Sequence, residues 1–207
     1  RATRPAIAIA WSGTGPMRSP EDAGVSGPFL LSLARASIDY GFDNKSPLPV
    51  RLDELPAILA EPAATFTTLR LEGALRGCCG RLEAAEPLAT DVAHSAFTAA
   101  FRDPRFEPLR RDEFAAIALE VSVLTPMEPM QVADEADLLE QLEPGVDGLV
   151  IAEGWRRATF LPKVWENLPE PQQFLGQLKL KSGLPQDYWS SRLEFRRYRT
   201  ATYVEAD

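Results

Sequence analysis

Ala64-Thr65-Phe66-Thr67-Thr68-Leu69-Arg70-Leu71-Glu72-Gly73-Ala74-Leu75-Arg76-Gly77-Cys78-Cys79-Gly80 reads as two strands joined by a turn. The first part alternates and is rich in Thr and Phe, the pattern of a half-buried strand. Glu72-Gly73 supplies a tight turn, and the rest returns as the second strand of an antiparallel hairpin. That returning strand carries both cysteines of the chain, a cation and two glycines. A thiol is the soft nucleophile among the side chains, and a neighbouring guanidinium favours its thiolate form. Glycines let another group approach the backbone closely. Successive strand side chains point to opposite faces, so Arg76 and Cys78 are expected on one face and Cys79 on the other.

Working outward, Pro28 opens a helix with Leu30, Leu33, Ala34 and Ile38 on one face and Gly41 as its stop. Residues 43–62 are broken by Pro47, Pro49, Pro56 and Pro62 and read as a loop, with a short turn near Leu55–Leu59. Pro87–Arg102 is the clearest helix, with Leu88, Val92, Ala96 and Ala99 as its apolar stripe. Asp103-Pro104-Arg105-Phe106 stops it. Asp112–Phe114 begins a short turn and Ala118–Leu124 is a strand. Ala133–Leu142 is a short acidic helix. Leu149–Glu153 with Trp155–Leu161 makes a second hairpin, Pro169–Lys181 a helix stopped by Gly183, and Leu193–Val204 a closing strand. Antiparallel hairpins separated by helices place the chain in the α+β class.

Residues 1–27 are rich in Pro, Gly and Ser and read as a flexible N-terminal arm, leaving residues 28–207 as the folded domain. Gly13-Thr14-Gly15 is no phosphate loop, because no Gly-Lys-Ser/Thr follows it. The chain begins at Arg1 without a methionine, which points to a start that is missing or processed. No run approaches the about 18 apolar residues of a membrane span, and no signal-peptide leader precedes the domain. Two adjacent cysteines do not make a disulfide framework, which fits a reducing cytoplasm. One histidine and two thiols exclude a Cys/His zinc site of the usual spacings, and no metal or other cofactor is expected.

A net charge of −8 argues against a general nucleic-acid binder. The charge is unevenly spread: Asp112–Trp155 carries acidic residues and no Lys or Arg, whereas the chain beyond it is mainly basic. The bland reading of this polarity is two solvated faces; the sharper one is electrostatic steering. Arg192, Phe195, Arg196, Arg197, Tyr198 and Arg199 interleave cations with aromatics as single-strand platforms do, but a strand would split them between two faces.

Several blocks resemble one family. They are Leu75-Arg76-Gly77-Cys78-Cys79-Gly80; Ala99-Ala100-Phe101-Arg102-Asp103-Pro104-Arg105-Phe106 with Pro108-Leu109; Leu119-Glu120-Val121-Ser122-Val123-Leu124; Gly145-Val146-Asp147-Gly148-Leu149; Thr159-Phe160-Leu161-Pro162-Lys163-Val164-Trp165; and Lys181-Ser182-Gly183-Leu184. In this order they resemble the AMMECR domain family, whose bacterial branch is called AmmeMemoRadiSam system protein A. The resemblance runs from about Phe29 to Val204. It implies an α+β domain of two unequal lobes around antiparallel sheet, with the cysteine motif near a cleft between them. It also implies association with a Memo-type protein and a radical S-adenosylmethionine enzyme, and brings no established reaction. Cys79 stands where the family's motif has Ile, which fits buried packing. Cys78 occupies the motif cysteine, and His94 matches no motif position.

Two functions are expected from these residues. In the favoured one the protein is a binding or accessory module, in which Arg76, Gly77, Arg102, Asp103 and Arg105 recognise a small anionic ligand beside Cys78. In the alternative Cys78 is a catalytic nucleophile or redox thiol. The weakness of the second is its base. His94 reads as an ordinary helix histidine, leaving carboxylates such as Glu120 or Asp147.

Overall fold

The protein's structure is a computed structural model that describes residues 25–205. It is an α+β fold, and its contacts divide it into two compact units. One runs to Thr125 and takes back Ala201 onward; the other is Pro126–Thr200. Most of the expected N-terminal arm lies outside the described residues. Val25 and Gly27, at its end, are buried parts of the first unit.

In the first unit, α1 (Gly27–Asn44) starts with a proline in its first turn and ends at Lys45, which adopts a left-handed conformation. Gly41 does not stop it. The glycine sits inside the helix because a β-carbon there would stand 2.7 Å from both the Phe97 and Phe101 rings. Short 3₁₀ turns at Leu52–Glu54 and Ala57–Ala60 follow. The hairpin is then formed by β1 (Pro62–Leu71) and β2 (Ala74–Gly80), and β3 (Glu86–Pro87) pairs with the start of β1. α2 (Leu88–Phe101) and β4 (Ile117–Leu124) complete the main elements, and β9 (Thr200–Val204) returns to this sheet from the end of the chain. The strand order is β2-β1-β4-β9.

One face of this sheet carries the core. Leu69, Leu119, Val121 and Val123 pack against Leu30, Ala34 and Ile38 of α1 and Val92 and Ala96 of α2. A polar seam crosses that core. Asp91 Oδ2 accepts from the Thr65 amide at 2.8 Å and the Thr65 hydroxyl at 2.6 Å, while Ser95 bonds the Thr67 hydroxyl at 2.8 Å. Buried polar groups cost free energy unless paired, so this seam fixes α2 to β1 in one register. The opposite face presents Phe66, Thr68, Glu120 and Ser122, all partly exposed.

The second unit contains β5 (Glu128–Met130), α3 (Glu135–Gln141), β6 (Gly148–Glu153), β7 (Arg156–Phe160), α4 (Pro171–Lys181) and β8 (Glu194–Tyr198). Its sheet runs β5-β8-β6-β7. Leu149, Ile151, Phe174, Leu178 and Phe195 fill its core, with Trp165 stacked on Phe174 at 3.8 Å. The acidic and basic halves read from sequence meet here as ion pairs: Arg199 with Glu143 and Asp147, Lys179 with Glu135, Arg192 with Glu153, and Arg197 with Glu128.

The closing strand expected over Leu193–Val204 is two strands. The chain breaks between Tyr198 and Thr200, so β8 and β9 belong to different sheets. Phe195 and Tyr198 are buried and offer no face on which a base could stack.

Candidate functional site

The hairpin turn forms as read, with Glu72 and Gly73 both at positive φ (52° and 78°), the backbone of a tight primed turn. Leu71 faces Ala74 and Arg70 faces Leu75, but Leu69 faces Gly77 and Thr68 faces Cys78. Arg76 is therefore an extra residue, a β-bulge. A one-residue shift turns every later side chain to the other face. Without the bulge Cys78 would oppose Thr67, which is buried beneath α2. With it, Cys78 lies on the outer face with Thr68, and Cys79 turns inward to pack on the core. Burial pushes the Cys79 thiol above its ordinary value.

The bulge also breaks the alternation that was expected to set Arg76 beside Cys78. Arg76 reaches Glu113 with a two-pronged bond (Nε–Oε1 3.0 Å, Nη2–Oε2 2.9 Å) and donates to the Glu107 carbonyl at 2.9 Å. Both side chains are nearly buried, at 14% and 10% exposure. The Arg76 guanidinium beside Glu113 holds that carboxyl down to about 2. Gly77 does admit a close approach, and the protein's own helix makes it. A β-carbon at Gly77 would stand 2.2 Å from the Ala99 carbonyl oxygen.

Cys78 is held at three atoms. Its N–H donates to Asp103 Oδ2 at 2.9 Å. Its carbonyl accepts from Arg105 Nη2 at 3.4 Å. Its Sγ accepts from the Thr68 hydroxyl at 3.4 Å. β2 is the edge of its sheet, so an Asp–Arg pair here satisfies main-chain groups that a neighbouring strand would otherwise bind. Asp103 grips Arg105 through both oxygens (Oδ1–Nε 3.0 Å, Oδ2–Nη2 2.7 Å). That hydrogen-bonded guanidinium holds the Asp103 carboxyl well below the usual carboxylate range. Asp103 is 3% exposed, whereas Arg105 is 55% exposed and still presents cationic surface to solvent. Arg102 is exposed, with its guanidinium 5.2 Å from the centre of the Phe97 ring.

The candidate bases are placed differently. His94 Nδ1 lies 2.7 Å from Glu86 Oε2, and Arg81 links Glu86 to Asp91. Burial raises the Asp91 carboxyl from its ordinary value. Asp147 belongs to the second unit, fully buried, where it accepts from the Glu143 amide and pairs with Arg199. Glu120 is opposite Thr68, which is opposite Cys78, so the three lie in one row across β4, β1 and β2. Thr68, Glu113 and the Asp91 seam are the residues that sequence reasoning missed. A bulge in β2 would have revealed Thr68, but bulges leave no reliable trace in composition. Among the described residues no cluster of three or more His, Cys, Asp or Glu could hold a metal ion.

Comparison with known proteins returns the same region. A family model described as AMMECR1 matches residues 31–203. A protein of Methanothermobacter thermautotrophicus is 37% identical over 166 residues, covering 78% of this chain and 84% of its own. One of Methanosarcina barkeri is 38% identical over 168 residues, covering 80% and 83%. The crystal structure of an uncharacterized protein from Pyrococcus horikoshii superposes with a TM-score of 0.78 at 30% identity, covering 86% of this chain and 91% of that one. The matched span takes in the bulged cysteine strand, the Asp–Arg clamp and both sheets, and on that extent the chain belongs to the AMMECR1 family.

Proposed function

We propose that the protein is an accessory binding protein whose recognition site is the Cys78 edge of β2, with Arg105 as the cation that meets a small anionic ligand. The observation supporting this reading is the threefold hold on Cys78. The clamp that satisfies the strand edge also leaves the Arg105 guanidinium 55% exposed next to Cys78, where an anion can meet it. Arg76 and Asp103 act as the rigid backing of the site, and Arg102 adds an exposed cation on the same connection. The Memo-type protein and radical S-adenosylmethionine enzyme implied by the family are its proposed partners. Two unbridged thiols suit a cytoplasmic setting. Among the described residues no helix is long and apolar enough to cross a membrane.

Co-purification of the wild type and of Arg105→Gln with those two partners tests the accessory role. Loss of the complex in the variant is the expected result, and no complex with the wild type at any salt would overturn it. The anion site is tested by alkylating Cys78 with iodoacetate and with iodoacetamide, which differ in charge. The ratio of their rates is expected to exceed that of a free thiol and to fall in Arg105→Gln.

The second reading is that the thiol itself reacts. The hydrogen bond from the Thr68 hydroxyl to Sγ favours it, since it fixes the direction in which the sulfur points.

A further inference from the structure

The second sheet ends at β7, and this edge is dressed differently from others in the protein. An open edge offers main-chain groups to other chains, and proteins blunt it with charge, proline or shortness. β2 is clamped by Asp103 and Arg105, and β5 is three residues long and contains Pro129. β7 runs for five residues without a proline. Its turn presents Trp155, which is 87% exposed, the most exposed large apolar side chain among the described residues.

The loop between β6 and β7 is Gly154 and Trp155 alone, since Glu153 opposes Arg156. Gly154 has a φ of 59°, and a glycine with positive φ in the first loop position makes a type II′ turn. In such a hairpin the residues flanking the loop bond each other, and main-chain bonding alternates from there. Arg156, Ala158 and Phe160 therefore bond β6, while Arg157 and Thr159 turn their N–H and C=O groups to the outer edge. Lys181 bears out this parity, because its Nζ donates to the Thr159 carbonyl at 3.0 Å. The edge is also basic, in a chain of net charge −8. Arg156 and Arg157 lie on the strand, which carries no acidic residue, and Lys181 stands at its far end. Glu153, across from Arg156, is taken up by Tyr188 and Arg192. The Arg156 guanidinium lies 5.1 Å from the centre of the Trp155 ring.

We infer that β7 is a docking edge for an extended acidic segment of a partner protein, which adds to this sheet as a further strand. The outward main-chain groups of Arg157 and Thr159 pair with the incoming strand, Arg156 and Arg157 meet its carboxylates, and Trp155 covers its end. Charge alone would read as protection of the edge. A solvated indole beside it does the opposite, because tryptophan is a residue of binding hot spots. A second copy of the chain fits badly, since two β7 edges would set arginine against arginine. A nucleic-acid strand lacks the alternating N–H and C=O groups that the edge can pair. Phe160 packs on the core, so Trp155 would have to stack bases unaided. The surface belongs to the second unit and goes beyond the Cys78 reading, which concerns the first.

The test is the affinity of the full chain for a labelled peptide that alternates Glu with Thr over about seven residues, the length of an ordinary strand. Anisotropy at low salt reads the binding. Saturable binding is expected, with a change in tryptophan emission that is lost in Trp155→Phe. Trp155→Ala is expected to weaken binding by at least about tenfold, as truncation of a tryptophan anchor does. Arg157→Glu, which exchanges an attraction for a repulsion, is expected to weaken it by about tenfold. N-methylation of two consecutive central residues removes main-chain donors on both edges of the peptide and should abolish binding. The same peptide with Lys in place of Glu should not bind. No saturable binding of the Glu peptide, or undiminished binding of its N-methylated or Lys form, would overturn the inference. An oligouridine bound as tightly as the peptide would overturn it in favour of nucleic acid. A wild-type dimer broken by Trp155→Ala would overturn it in favour of a second copy. Should Trp155→Ala fail to fold, Arg157→Glu and the N-methylated peptide decide the question.

Discussion

Asp103 Oδ2 accepts the main-chain N–H of Cys78 at 2.9 Å, joining the turn after α2 to the edge strand of the sheet. Through the same carboxylate, Arg105 is carried to the Cys78 carbonyl. One ion pair therefore does for Cys78 what a neighbouring strand does for residues inside a sheet. The side-chain ends are unlike, since Asp103 is buried and Arg105 mostly exposed. The carboxylate is the structural member and the guanidinium is the member that can meet a ligand.

Asp103→Ala is expected to destabilise the protein by about 3 kcal/mol, the size of loss seen when one partner of a buried charged pair is removed. Arg105→Gln should cost less than half of that, because its side chain is already in water. Urea unfolding of the two variants checks the order. Equal losses would mean that the clamp does not hold the edge strand through its carboxylate.

The Arg76–Glu113 pair makes a pH prediction. The folded value of Glu113, about 2, lies below its ordinary value of 4.5. A group depressed on folding stabilises the native state above the ordinary value and loses that contribution as pH falls through the folded one. Stability is therefore expected to decline between about pH 4.5 and about pH 2, through Glu113 and, further into acid, Asp103. Glu113→Gln should be less stable than the wild type at neutral pH and show a flatter profile across that window. Unfolding free energies measured at intervals through the window decide it; parallel profiles for the two proteins would refute the assignment.

Gly77 and Gly73 separate two reasons for a glycine in one hairpin. At Gly77 the obstacle is the Ala99 carbonyl oxygen, 2.2 Å from where a β-carbon would be, and no rotamer relieves a backbone contact. At Gly73 the space is open but φ is +78°, so the strain is conformational alone. Gly77→Ala is expected to cost about 3 kcal/mol or more by forcing α2 off β2. Gly73→Ala should cost about 1 kcal/mol. Thermal unfolding of both variants measures the gap, and a Gly77→Ala protein as stable as Gly73→Ala would contradict the packing described.

What could be read before the structure was what depends on neighbours in the chain. The hairpin was legible because Thr65-Phe66-Thr67-Thr68-Leu69 alternates and Glu72-Gly73 turns within two residues. α2 was legible because its apolar stripe recurs at helical spacing. Contacts made at a distance were not. Gly41 looked like a helix stop until Phe97 and Phe101 were seen against it. The strand ending at Val204 looked continuous because its residues alternate through Arg199, whereas sheet membership changes there. At the site, the chain itself sets Arg76, Gly77 and Cys78 together on β2 and Arg102, Asp103 and Arg105 together after α2, and that much was legible. Their connections were not, because Glu113 lies 37 positions from Arg76 and a single inserted residue set the face on which each thiol stands.

That inserted residue gives the last prediction. Cys78 and Cys79 are consecutive on a strand and project to opposite faces, so one packs on the core while the other bonds Thr68. Burial raises the Cys79 thiol, which lowers its thiolate fraction at neutral pH. Alkylation mapped by mass should therefore mark Cys78 first and Cys79 only under more alkaline or unfolding conditions. Mild oxidation should give no disulfide between the two, since their side chains point apart. Cys79→Ile replaces a small, partly buried hydrophobe with a larger one and should cost no more than about 3 kcal/mol, the upper end for methylenes added to a packed site. It should also leave the labelling of Cys78 unchanged. Preferential labelling of Cys79 would show that the bulge lies elsewhere in β2 and that the faces are exchanged.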